Sequence, residues 1–124
     1  MKTEDVIETV DEPGRWHGRP VTYWSGSWVR LRDQIPRFQI SDFRACDDGP
    51  ANPYMKSVVR LPRTHFEKEV PVGTVSSSYT LAQHIDVAEH CLKGVRDAGI
   101  STQELRSEVG LTDLGEWMNF RIYF

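Results

Sequence analysis

A helical repeat of apolar residues in the second half of the chain constrains its fold more than any other sequence feature. The repeat proceeds in steps of four, three, four and three residues, on Leu81, Ile85, Ala88, Leu92 and Val95. This spacing places the five side chains on one face of an α-helix. Thr80 and Gln83 have capping-box spacing at its start, and Gly99 can end it in a left-handed conformation. We therefore predict a helix over residues 81–98 whose apolar face packs on a sheet.

Strand and turn signals occupy most of the remaining chain. Segments rich in β-forming residues predict strands over residues 21–32, 37–44, 55–61, 69–76 and 118–124. Residues 12–20 are predicted to form a loop, and residues 25–27 a hairpin turn or bulge. Ser101 and Glu104 repeat the capping spacing, so a second, shorter helix is predicted up to Val109. The predicted fold class is α+β: an antiparallel β-sheet with one long and one short α-helix packed on one face.

The length and the terminal segments bound the organisation of the chain. A chain of 124 residues is predicted to form a single domain, residues 1–124, with residues 1–12 as an acidic and flexible N-terminal segment. No apolar run approaches the roughly 20 residues that span a bilayer, and residues 1–5 lack the apolar core of a signal peptide. We therefore expect a cytoplasmic protein without a membrane partner, in which Cys46 and Cys91 stay reduced.

The positive charge and most of the tryptophans are concentrated in the first half of the chain. Residues 1–12 carry one lysine against five acidic residues, residues 13–70 carry ten basic against six acidic residues, and residues 71–124 carry four against seven. Interleaved arginines and rings suit nucleic-acid binding and protein interfaces alike. In the alternative interpretation the rings are core and the arginines form a solvated strand face. The candidate binding residues are Arg15, Trp16, Arg19, Trp24, Trp28, Arg30, Arg32 and Arg37.

The sequence contains no pattern typical of a catalytic or metal site. His84 and His90 are six residues apart, which separates them by about 120° around a helix and prevents them from sharing one ion. His90 and Cys91 are neighbours on the helix and do not face one another, so Cys91 is interpreted as an ordinary core cysteine. We therefore predict no catalytic residue, no metal and no cofactor.

Two segments together resemble a known family. The first runs Val72-Gly73-Thr74-Val75-Ser76, then Tyr79, Leu81, Gln83 and His84, and the second is Leu114-Gly115-Glu116-Trp117-Met118-Asn119-Phe120. They resemble the core of a domain-of-unknown-function family of phage and plasmid genes with a G-x-V-S-x-x-Y-x-x-x-Q motif before a helix. The similarity covers about residues 53–124 and suggests a short or truncated relative. It implies a mobile-element origin and no established activity.

Two classes of function follow as hypotheses. The first is a small non-enzymatic accessory protein of a phage or mobile element that binds a host protein or ribonucleoprotein in the bacterial cytoplasm. Such a protein would inhibit a host defence system, in the manner of anti-CRISPR or anti-restriction proteins. The alternative is a single-stranded nucleic-acid-binding protein that acts in phage recombination. Self-association through a sheet edge is a further expectation, because an open edge is a template for strand addition.

Overall fold

The computed structural model describes residues 7–16, 18–101 and 105–124, where seven strands and two α-helices give the predicted α+β fold. The strands form two antiparallel sheets of four and three strands. The chain divides into two compact units, one formed by residues up to Ile35 together with His84–Phe124, the other by Pro36–Gln83. This division into compact units does not test the prediction of a single domain, which stays a prediction.

The first unit contains the four-stranded sheet and both α-helices. Its elements are β1 (Ile7–Trp16), β2 (Arg19–Ser27), α1 (Trp28–Leu31), a 3-10 turn (Arg32–Gln34), α2 (His84–Asp97), β6 (Arg106–Thr112) and β7 (Met118–Tyr123). The strand order is β1-β2-β6-β7, and each neighbouring pair is antiparallel. Paired residues of the two inner strands, β2 and β6, are 79 or more positions apart in sequence, so this sheet depends on long-range pairing.

The core of this unit lies on one face of its sheet. Leu31 of α1, Ile35, Ile85 of α2, and Val109 and Leu111 of β6 form one buried cluster. Trp24, Trp28, Met118 and Phe120 pack against that cluster. Both helices therefore cover the same sheet face, and the predicted apolar face of α2 is buried at Ile85, Ala88 and Leu92.

The second unit is a three-stranded meander of β3 (Phe38–Asp42), β4 (Met55–Arg60) and β5 (Val70–Ser76), with β4 in the centre. The Gln83 side chain pairs with the backbone of Phe38. Its amide nitrogen donates to the Phe38 carbonyl at 2.8 Å and its oxygen accepts from the Phe38 N–H at 2.9 Å. The three strands match the predicted segments, whereas the single predicted sheet was wrong, because these strands form a sheet of their own.

The end of α2 confirms one local prediction, and its start corrects another. Gly99 has a φ of 91°, its N–H donates to Arg96, and the Ile100 N–H donates to Val95. This is the Schellman arrangement that satisfies the last helical carbonyls. At the other end α2 begins at His84 rather than at Leu81. The amide of Gln83 is already engaged with Phe38, so it does not form the predicted capping box.

The predicted second helix was wrong. Residues 106–112 form the strand β6 between β2 and β7, and residues 102–104 lie outside the described residues. Ser107, Val109 and Leu111 alternate on the buried face of β6. The capping spacing at Ser101 is a local preference, and long-range strand pairing overrides such preferences.

Three other predictions in the first unit need correction. Residues 25–27 form no turn, since β2 runs through them to Ser27 and is followed by the helix α1. Residues 12–16 belong to β1, although the register shifts between Asp11 and Trp16. Phe124 lies beyond β7 and is exposed. Residues 1–6 of the predicted acidic segment lie outside the described residues.

Candidate functional site

The loop between β4 and β5, residues 61–69, presents the most exposed large hydrophobic side chain of the described residues. Phe66 is 95% exposed, although phenylalanine is among the residue types that are most often buried. The loop follows Arg60 at the end of β4 and leads into Val70 at the start of β5. An aromatic ring held in solvent loses the free energy of burial unless a partner covers it.

Hydrogen bonds within the loop fix the backbone beneath this ring. The Glu67 carboxylate accepts from the Arg63 N–H at 2.7 Å and lies 3.6 Å from the Arg63 guanidinium. The Phe66 N–H donates to the Thr64 hydroxyl at 3.2 Å, and the Glu67 N–H donates to the Thr64 carbonyl at 3.3 Å. The hydrogen bond from the Arg63 N–H, and to a lesser degree its charge, hold the pKa of Glu67 below the ordinary value. The ring is therefore carried on an ordered turn.

The side chains beside Phe66 are polar and mixed in charge. His65, Lys68 and Glu69 are exposed, and Lys68 has no ion pair among the described residues. Glu67 is compensated by Arg63. Lys68 and Glu69 are therefore left as charges of opposite sign next to the ring, and neither has an ion pair with a described residue. The loop thus combines an exposed ring with a neighbouring cation and a neighbouring carboxylate.

The binding residues predicted from the sequence lie in the basic, tryptophan-rich segment, so sequence reasoning missed this loop. A usable signal was present: Phe66 is a lone aromatic residue in the polar run 62–69 between two predicted strands. Tyr54 is a second exposed ring, 76% exposed, at the opposite end of β4. Its backbone is also held, since its N–H donates to the Asn52 side chain at 2.8 Å.

Arg19, one of the predicted binding residues, is occupied by two carboxylates. Its guanidinium donates to Asp113 and to Glu116, each with a shortest distance of 2.6 Å, and lies 5.7 Å from the ring centre of Trp117. The hydrogen bonds that Arg19 donates to Glu116 and, to a lesser degree, to Asp113 raise its pKa. These contacts tie the start of β2 to the turn between β6 and β7 and leave no net cation there for a phosphate.

The acidic partner Glu116 is itself anchored in this network. Burial raises its pKa, but the hydrogen bonds from Arg19 and Thr112 outweigh burial and hold the pKa below the ordinary value. The Thr112 hydroxyl donates to Glu116 at 2.6 Å. His84 lies close by, with its Nε2 3.0 Å from the Gly115 carbonyl, and burial lowers the pKa of its imidazole. His84 is therefore neutral at pH 7 and donates from Nε2 to Gly115.

The predicted tryptophan anchors lie against the core. Trp24 and Trp28 both pack on the buried cluster, and the Trp28 ring meets Phe120 edge-on at 5.4 Å between centroids. The Trp28 indole N–H donates to Glu89 of α2 at 3.3 Å, and Arg32 lies 3.8 Å from the same carboxylate. For these two rings the alternative interpretation, in which they belong to the core, matches the structure.

The remaining predicted residues differ in what surrounds them. Arg30 and Arg37 are exposed and make no ion pair with a described residue. The side chains of Arg15 and Trp16 lie outside the described part of the chain. Arg30 lies on α1 in the first compact unit, and Arg37 lies before β3 in the second.

The cysteines and the acidic residues form no metal site in the described residues. No three histidine, cysteine, aspartate or glutamate side chains are grouped closely enough to hold an ion there. Cys46 and Cys91 are both free and exposed, so the interpretation of Cys91 as a core residue was wrong. No helix of the described residues is long and apolar enough to cross a membrane.

A cleft of about 390 Å³ lies in the loop between β3 and β4. Its lining includes Phe43, Arg44, Pro50 and Asn52. The Arg44 guanidinium donates to the Gly49 carbonyl and to Asp42, which also accepts from Lys56 at 2.9 Å. The Asp42 carboxylate is therefore shared by two cations, Arg44 and Lys56.

Comparisons of the chain with protein-family models, curated proteins and solved structures give no match. The resemblance to the phage and plasmid family stays a prediction.

Proposed function

We propose that this chain is a non-enzymatic binding protein that recognises another protein through the loop of residues 61–69, with Phe66 as its anchor. The observation that carries the proposal is the 95% exposure of Phe66 on a turn fixed by its own hydrogen bonds. Binding interfaces concentrate free energy in a few large side chains. A preordered anchor also pays little conformational entropy on binding.

The surroundings of the arginines support a protein partner over single-stranded nucleic acid. Base stacking requires exposed rings, and phosphate binding requires uncompensated cations. Trp24 and Trp28 are packed on the core, while Arg19 and Arg32 face carboxylates. Arg30 and Arg37 are exposed without an ion pair to a described residue, but two cations are a small footprint for nucleic acid.

The finer proposal rests on the sequence resemblance. If the chain is a relative of the phage and plasmid family, the partner is a host protein or ribonucleoprotein of the bacterial cytoplasm. The protein would then act as an accessory protein that inhibits a host defence system. On the chemistry of the loop, the partner has an apolar pocket for the ring and a carboxylate near Lys68.

The test places a photoreactive phenylalanine analogue at position 66, and in a matched variant at position 54. Both sites are exposed rings in the same unit, at opposite ends of β4. Each variant is irradiated in bacterial lysate, and proteins cross-linked from position 66 but not from position 54 are identified and purified. Their affinity is then measured with wild type, Phe66→Ser and Tyr54→Ser.

The proposal expects Phe66→Ser to weaken binding about tenfold or more and Tyr54→Ser to leave it nearly unchanged. Equal affinities of wild type and Phe66→Ser would place the interface elsewhere. A salt-dependent shift of labelled single-stranded DNA that Arg30→Glu and Arg37→Glu abolish would instead favour the nucleic-acid alternative.

A further inference from the structure

The outer edge of β7 is a second surface that a partner could bind. In the described residues the two sheets present four outer strands, namely β1, β3, β5 and β7. An outer strand exposes a row of backbone N–H and C=O groups and invites pairing unless something protects it. The four outer strands differ in whether proline, a register shift or a covering group protects their edges.

Three of the four edges are interrupted or covered. The register of β1 shifts between Asp11 and Trp16, a stretch that includes Pro13. Within β5, Pro71 removes a donor and the register shifts opposite Val58 and Val59. At the β3 edge, the Gln83 amide occupies the backbone N–H and C=O of Phe38. Proline, bulges and covering groups are the usual means of blocking edge pairing.

The β7 edge has none of these features. Met118–Tyr123 contains neither proline nor glycine, and it pairs with β6 in one unbroken register from Leu111↔Met118 to Arg106↔Tyr123. The charge on the strand is that of Arg121, which lies 3.6 Å from Glu108 on the neighbouring strand. The edge is thus regular and largely apolar, and the charge of Arg121 is paired within the sheet.

The hydrogen-bond pattern identifies which backbone groups face outward. The Thr112 N–H donates to the Trp117 carbonyl at 3.2 Å, so Trp117 faces β6. Because facing alternates along an antiparallel strand, residues 119, 121 and 123 also face β6. Met118, Phe120 and Ile122 then point their N–H and C=O groups away from the sheet. No described residue bonds to these outward groups.

We propose that the β7 edge pairs antiparallel with β7 of a second copy of this chain, in a symmetric register centred on Phe120. Phe120 then faces Phe120 of the second copy, and Met118 faces its Ile122. This register uses all three outward residues of each strand in about six backbone hydrogen bonds. The inference does not depend on the loop of residues 61–69.

Self-complementarity is what selects a second copy as the occupant. In this register Arg121 faces Asn119 of the other copy, so no like charges oppose each other across the new pair. Trp117 and Tyr123, which are 43% and 46% exposed, face each other across both ends of the pair. Opposed aromatic pairs stabilise antiparallel strands. The assembly closes as a dimer, since each copy has used its β7 edge.

The test is sedimentation of the full chain from low micromolar to near-millimolar concentration, with two substitutions of one residue. Asn119→Lys places a lysine opposite Arg121 of the other copy at two positions and should weaken the dimer roughly tenfold. Asn119→Asp places a carboxylate there and should tighten it. Thermal unfolding of both variants verifies that the monomer fold is retained, and Phe66→Ser should leave the dimer unchanged.

Any of three other results would overturn the proposal. A wild-type chain that stays monomeric throughout shows that the edge does not self-associate. A dimer whose dissociation constant is unchanged in both variants, or moves in the same direction in both, has a different interface. Growth into fibres rather than a closed dimer would show that a second, different edge takes part.

Discussion

Tyr23 and Gly110 face each other across β2 and β6, and the ring of Tyr23 occupies the space in which a side chain at position 110 would begin. A Cβ atom built on Gly110 would lie 2.7 Å from Cε1 and 2.8 Å from Cδ1 of that ring. The helix predicted up to Val109 would end at Gly110. In the structure it is a strand residue whose missing side chain lets the ring lie against the sheet.

Gly110→Ala should therefore destabilise the protein, by about 1–3 kcal/mol as is typical of overpacking. The matched control is Gly73→Ala in β5, where nothing lies within 4 Å of the added Cβ. There the reduced entropy of the unfolded chain should leave stability unchanged or raise it by about 0.4–1 kcal/mol. Urea unfolding of both variants measures the difference. Equal effects at the two positions would show that the Tyr23 ring does not restrict position 110.

Arg19→Gln should lower the free energy of unfolding by about 1–3 kcal/mol, because it leaves the largely buried Glu116 without its charged donor. The Glu116 side chain is 14% exposed in this ion pair, so solvent replaces the lost contact poorly. The matched control is Arg37→Gln, an exposed arginine without an ion pair to a described residue. It should stay within about 0.5 kcal/mol of wild type. Urea unfolding at neutral pH makes the comparison, and equal losses would contradict a structural role for Arg19.

The stability of the protein should fall on mild acidification because of His84. Burial lowers the pKa of its imidazole below the ordinary 6.5, so the unfolded chain takes up a proton at a pH where the folded chain does not. The contribution of His84 to stability is therefore fully present above the pKa that its imidazole has in the unfolded chain. It is lost progressively as the pH falls below that pKa. The Glu116 carboxylate, whose charge favours the protonated imidazole, remains ionised in this window, since its own pKa is held below the ordinary value.

The measurement for this prediction is the urea midpoint of wild type and His84→Gln between neutral and mildly acidic pH. The glutamine amide can still donate to Gly115 but does not titrate, so the decline should be smaller in the variant. The same decline in both proteins would assign the pH dependence to other groups.

Local patterns predicted the elements that depend on neighbouring residues. The helix face at Ile85, Ala88 and Leu92 and the glycine cap at Gly99 were both predicted from spacing alone. Period-two alternation likewise located β7 at residues 118–123. The candidate site was harder to predict, because the exposure of Phe66 depends on whether other parts of the folded chain cover its ring. Sequence composition pointed instead to Trp24 and Trp28, whose rings pack on the core.

By itself, the sequence determined the long helix, its C-terminal cap, the α+β class and most strand positions, because those depend on periodicity and on conformational preferences within a few residues. Tertiary structure decided that residues 106–112 are a central strand, because pairing with β2 and β7 buries Val109 and Leu111 and outweighs a local capping preference. It also decided which charges are compensated. Arg19 meets Asp113 and Glu116 across more than 90 residues of chain, and no local pattern encodes that contact.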